Sequence, residues 1–111
     1  MTVNQAFSLL GAEIVCDAGD MSRVVRHVVA SDLMSDVLLV DEEDMLLLTS
    51  LASEQVLRTA QIVGACGVVV VNGKSITVEM ADVGRSLNMP LAVSGLSKFN
   101  ACIAIHNGMG A

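Results

Sequence analysis

Two short apolar runs with one amphipathic segment between them constrain this chain more than any other feature. The first run is Met45-Leu46-Leu47-Leu48-Thr49, and the second is Val68-Val69-Val70-Val71, closed by Asn72-Gly73-Lys74. Each is too short for a helix and apolar throughout rather than alternating, the pattern of a strand covered on both faces. Between them Val56, Leu57, Ala60 and Val63 recur at helical spacing, while Glu54, Gln55, Arg58 and Gln61 fall largely elsewhere on the circumference. The segment therefore reads as strand, crossover helix, strand, with the strands parallel and the connection right-handed. A sheet buried on both faces needs helices on both sides. The expected fold is α/β: a single compact three-layer α/β/α domain over residues 1–111 with a mainly parallel sheet.

The rest of the chain fits around this unit. Thr2 or Asn4 can cap an opening helix bearing Val3, Ala6, Phe7, Leu9 and Leu10, which Gly11 ends. Glu13-Ile14-Val15-Cys16 reads as a strand and Asp17-Ala18-Gly19-Asp20 as a turn. Val24-Val25 and Val28-Val29-Ala30, broken by Arg26-His27, suggest an irregular strand near a sheet edge. Ser31-Asp32 is a capping signal for a short helix to about Asp41. The acidic run Asp41-Glu42-Glu43-Asp44 then falls at the amino edge of the sheet. Ser75 or Thr77 can cap a helix with Met80, Ala81, Val83, Gly84 and Leu87 inward. Pro90 opens a strand, Leu91-Ala92-Val93, at the position where proline is tolerated. A last helix is expected to turn Leu96, Phe99, Cys102 and Ile103 inward, giving about residues 3–105 ordered and a loose tail over 106–111.

Composition excludes several function classes. The formal charge is −6, from 12 acidic and 6 basic residues, and the basic residues are dispersed. That balance repels a phosphate backbone, and with two Phe and no Trp or Tyr there is no aromatic platform for bases, so nucleic acid is not an expected partner. No apolar run is long enough to span a membrane, and no basic-then-apolar leader opens the chain, which makes the cytoplasm the expected compartment. Cys16, Cys66 and Cys102 are odd in number and widely spaced, which fits a reducing compartment and neither a disulfide framework nor a metal-ligand pattern. An apolar content of 53% with mean hydropathy +0.66 is high for one small domain. Some of that surface is expected to meet a partner, most simply a second copy in a homodimer.

Chemistry, if any, belongs at the carboxyl edge of the sheet. Three turns converge there by this reading: Thr49-Ser50-Leu51, Asn72-Gly73-Lys74 and Ser94-Gly95-Leu96. Each leads into a helix and so offers backbone N–H groups and hydroxyls to an anion, to which Lys74 adds a positive charge. The candidate ligand-binding residues are Thr49, Ser50, Asn72, Gly73, Lys74 and Ser94, although the same residue types are what caps and turns require. No catalytic motif is present: there is no P-loop spacing, and Gly108-Met109-Gly110 precedes no helix. Neither His27 nor His106 has a companion ligand at metal spacing, and no cofactor or metal is expected.

The order of these elements resembles a known family. Leu9-Leu10-Gly11-Ala12-Glu13, Val29-Ala30-Ser31-Asp32-Leu33-Met34-Ser35, Leu46-Leu47-Leu48-Thr49, 67–73 (Gly67-Val68-Val69-Val70-Val71-Asn72-Gly73) and Met89-Pro90-Leu91 together resemble the DRTGG domain family, which is similar to the amino-terminal domain of bacterial HPr kinase/phosphorylase. The resemblance spans about residues 3–105. Pro90 matches the proline of the family's final strand and Phe99 the aromatic of its closing helix. The signature itself is eroded: Thr49-Ser50-Leu51 stands where the family has Gly-Asp-Arg, and Val71-Asn72-Gly73 where it has Thr-Gly-Gly, leaving only Gly73. The resemblance implies a regulatory α/β domain without kinase chemistry, since the P-loop half is missing. The expected function is thus a non-catalytic regulatory or ligand-sensing domain for a small anionic metabolite or nucleotide. The alternative is an interaction and dimerisation module that docks on a partner enzyme without a ligand.

Overall fold

The computed structural model describes residues 1–110. In chain order the elements are α1 (Val3–Leu9), β1 (Glu13–Cys16), β2 (His27–Ala30), α2 (Met34–Val37), β3 (Met45–Thr49), α3 (Glu54–Ile62), β4 (Gly67–Val70), α4 (Val78–Ser86), β5 (Leu91–Val93) and α5 (Lys98–Gly108). They form a compact α/β fold around one five-stranded sheet of order β1-β5-β4-β3-β2. Strands β2 to β5 are mutually parallel, and β1 joins the β5 edge antiparallel.

Every residue of β3 and β4 is buried, as continuous apolar strands demand. Alternate side chains serve two cores. Met45, Leu47, Val68 and Val70 pack under α2, α3 and α4, and Leu46, Leu48, Val69 and Val71 pack under α1 and α5. The three helices that link the parallel strands lie on one face of the sheet, as crossovers of a single hand require when strand order runs steadily in one direction. The strand order reverses only where β1 joins β5.

Local signals account for most boundaries. Thr2 caps α1 in a reciprocal box with Gln5, and Thr77 caps α4 by accepting from the Met80 N–H. The irregular Val24–Ala30 region expected from sequence resolves into an isolated bridge from Val24 to Thr2 and the edge strand β2. The acidic run lies at the amino edge of β3. There Asp44 is paired with Arg23 at 2.6 Å and Arg26 at 3.2 Å, and Glu42 with His27 at 3.0 Å. No helix among the described residues is long and apolar enough to cross a membrane.

Three expectations need correction. Ser31-Asp32 does not cap α2, whose N-cap is Leu33 with no side-chain bond, and α2 stops at Val37. The inward face of α5 is Ala101 and Ile105, not Phe99 and Ile103, which are 74% and 43% exposed. Apolar residues are spread round this helix rather than gathered on one side, so periodicity does not choose a face; the helix packs on the sheet through Ala101 and Ile105. The tail expected to be loose from His106 is instead the last turn of α5 as far as Gly108, because buried Ile105 holds that end on the sheet. Ala111 lies outside the described residues.

Candidate functional site

The carboxyl ends of β2, β3, β4 and β5 do meet along one edge, but the residues there divide into two clusters. The first is centred on Asp32, at the end of β2. Its Oδ1 accepts from the Thr49 hydroxyl at 3.0 Å and the Ser50 N–H at 2.7 Å, and its Oδ2 accepts from the Ser50 hydroxyl at 2.5 Å. Lys98 Nζ, from the first turn of α5, lies 2.7 Å from the same Oδ2. Partial burial opposes ionisation of Asp32, but the Lys98 ammonium and the Ser50 and Thr49 donors outweigh it and hold the carboxyl well below the usual carboxylate range. The donors that the sequence offered to an external anion are therefore given to an internal one. Asn72 is similarly committed, its Oδ1 accepting from the Lys98 N–H at 3.3 Å.

The second cluster lines an open groove of about 620 Å³ between the β1–β5 edge and the amino end of α4. One wall is Gly11, Glu13 and Val15 with Val93, Ser94 and Gly95; the other is residues 73–78 with Ala81. Asn72 and Gly73 both have left-handed backbone, at φ 66° and 63°, a reversal that Asn-Gly makes readily. The turn is tied to the β5 end by the Asn72 N–H on the Leu96 carbonyl at 2.8 Å and the Gly73 N–H on the Ser94 carbonyl at 3.0 Å. It carries Lys74 to the groove, where the side chain makes no ion pair among the described residues. Ser94 borders the groove but its hydroxyl is buried, donating to the Leu10 carbonyl at 2.8 Å and accepting from the Leu96 N–H at 3.2 Å.

Of the six candidate residues, Gly73, Lys74 and Ser94 border the groove, and Thr49, Ser50 and Asn72 belong to the Asp32 cluster or its rim. Charged groups that the sequence reading did not place at this edge are Asp32, Lys98 and Glu13. Asp32 was read as a helix cap, yet it follows β2 at the same sheet edge as Thr49, and that placement is the signal that could have found it. Glu13 required knowing that β1 lies antiparallel against β5, with Glu13 opposite Val93. The groove therefore offers a cation, a carboxylate and free N–H groups of the α4 first turn around an open volume in the range that small ligands occupy. No nucleophile paired with a base lines it. Cys66 lies elsewhere, buried under α1, and burial pushes its thiol up to about 11.

The chain matches no family model and no curated protein. Among solved structures it is similar to the CBS and DRTGG domains of the regulatory region of Clostridium perfringens pyrophosphatase, a structure that holds the activator diadenosine tetraphosphate. The sequences are 13% identical, the TM-score is 0.74, and the match covers 94% of this chain and 45% of the other. The chain thus spans under half of that regulatory region. At this identity the likeness shows the fold alone: this chain has a compact α/β fold similar to part of that structure.

Proposed function

We propose that this chain is a regulatory, ligand-sensing domain of the DRTGG type, and that it binds a small anionic metabolite, a nucleotide by preference, in the groove at Lys74. The observation that carries this reading is Lys74, which makes no ion pair among the described residues, beside the amino end of α4 and facing an open groove with Glu13 on its other wall. A phosphate suits the ammonium and the helix N–H groups, and a ribose hydroxyl or an amino group suits the carboxylate. The nucleotide held by the structurally similar regulatory region supports the choice of ligand class. The DRTGG assignment is supported by the element order and the shared fold. Where the family has an aspartate after the central strand, Ser50 here binds a carboxylate brought from the neighbouring strand end. The domain has no catalytic role in this reading, works in the cytoplasm, where its three free cysteines stay reduced, and pairs with a second copy of itself.

Thermal unfolding followed by circular dichroism tests the proposal, because the chain has no Trp or Tyr. A nucleotide at about a hundred times its Kd should add about 2.7 kcal/mol, which moves the midpoint by roughly 10 °C or more in a domain of this size. Lys74→Ala should weaken the response by about tenfold in affinity, the size expected for one charge-assisted contact. A flat response across nucleotides, phosphorylated metabolites and small carboxylates would favour the second reading, a docking module without a ligand. That reading draws on the exposed apolar side chains of α5, Phe99 and Ile103.

A further inference from the structure

The chain has nine glycines, and all but one have a reason within the fold. Five take left-handed backbone, at φ between 57° and 82°, which L side chains rarely adopt. Gly67, Gly84 and Gly108 lie against packed side chains. A Cβ at Gly67 would come within 3.3 Å of Leu46 and Val3, one at Gly84 would touch Leu91 and Leu57, and one at Gly108 would run into Leu9. Gly95 is the exception. Its φ lies outside the left-handed region, and a Cβ added there would meet no atom of the chain within 4 Å. Nor does the turn need it. Ser94 shapes that turn, its hydroxyl accepting from the Leu96 N–H at 3.2 Å and its carbonyl accepting from the Gly73 N–H at 3.0 Å. Replacing a glycine of this kind with alanine ordinarily stabilises a domain, because alanine has less freedom to lose on folding.

Gly95 lines the same groove of about 620 Å³ that Lys74 borders. Its N–H makes no hydrogen bond to the backbone among the described residues, and on the facing wall the N–H groups of Lys74, Ser75 and Ile76 make none either. A glycine that the fold does not use, with an unclaimed N–H on a cleft wall, is what close approach of a ligand to the main chain requires. We infer that Gly95 is the contact point of the bound nucleotide's phosphoryl group, which packs against the Gly95 main chain and accepts its N–H while Lys74 holds it from the facing wall. The inference rests on the reading of this groove as the ligand site, and adds to it the residue that sets how closely the ligand seats. Glu13, opposite Val93 on the same wall as Gly95, repels an anion. The attraction therefore comes from Lys74 and the main-chain donors, and the donors act only within hydrogen-bonding reach. A methyl group at Gly95 would hold the phosphoryl oxygens off that wall.

Calorimetric titration of ATP into the native chain, Gly95→Ala and Gly95→Leu tests the inference, beside urea denaturation of each chain without nucleotide. Both variants should keep a urea midpoint close to the native one, with Gly95→Ala slightly above it. Affinity for ATP should fall by about tenfold or more in Gly95→Ala and below detection in Gly95→Leu. A Gly95→Ala chain that binds ATP as tightly as the native chain overturns the inference. So does a clearly lowered midpoint in Gly95→Ala, which would make the glycine a requirement of the fold. Binding that Lys74→Ala weakens and Gly95→Ala leaves intact keeps the groove as the ligand site and rejects Gly95 as its contact. A native chain that binds neither ATP nor inorganic pyrophosphate overturns the groove reading itself, and this inference with it.

Discussion

Asp32 gathers three donors from Thr49 and Ser50 and an ammonium from Lys98, so one carboxylate ties the ends of β2 and β3 to the start of α5. Its side chain is 38% exposed, and solvent screening reduces what the ion pair is worth. Asp32→Asn should therefore cost about 1 to 2 kcal/mol near neutral pH, most of it from hydrogen bonds to a charged acceptor. The pH dependence has a definite sign. A carboxylate whose folded pKa is depressed contributes stability above its unfolded pKa of about 4 and loses that contribution as pH falls through the folded value. Asp20 and Asp44 are also held below the ordinary range, the first mainly by Ser22 and the second mainly by Arg23. Urea denaturation should show the gap between native and Asp32→Asn chains fully open at pH 6 and closing below about pH 4. A gap that persists undiminished far below pH 4 would show that the charge of Asp32 is not what the cluster uses. At this scale the sequence was legible in residue type only: Thr49 and Ser50 are donors suited to an anion, but the anion they bind is Asp32, which arrives from another strand, and Asn72 instead accepts from the Lys98 N–H.

Elements whose burial is one-sided or complete declared themselves, and elements apolar all round did not. Strands β3 and β4 are continuous apolar runs with no surface alternative, and their pairing and parallel direction followed from the length of the crossover between them. Leu47 sits in β3 with none of its surface exposed, between β2 and β4. Leu47→Ala should cost 2–5 kcal/mol through lost burial and the cavity left behind, a large share of the roughly 5–15 kcal/mol that holds a domain together. Ile62→Ala on the outer side of α3 should stay within about 0.5 kcal/mol. Urea midpoints measured side by side check both values; near-equal midpoints would contradict the two-sided burial of β3. Helix α5 marks the limit of the same logic. Between Lys98 and His106 nothing charged shows which side meets water, so the rotation of Phe99 and Ile103 outward is visible only from the burial of Ala101 and Ile105 against the sheet.

Across the whole molecule, a single sheet separates the α2–α3–α4 layer from the α1–α5 layer and brings the turns that follow β3, β4 and β5 to one edge. The parallel array and its carboxyl edge were legible because hydrophobic runs, crossover lengths and turn residues all pointed the same way. The position of β1 was not, because an antiparallel strand added to the β5 edge leaves no mark on the residues that precede it. That one placement moves the candidate site from the middle of the edge, where Asp32 fills the donors, to the groove beside Lys74 and Glu13. Amide chemical shifts of the labelled protein, titrated with diadenosine tetraphosphate, with ATP and with adenosine as the phosphate-free control, test this placement most directly. The phosphorylated ligands should move the amides of residues 73–78, Gly95, Gly11 and Glu13 and leave Ser50 and Leu51 still, and adenosine should bind far more weakly. Shifts confined to Ser50, Leu51 and Lys98, or a spectrum that no nucleotide changes, would contradict that placement.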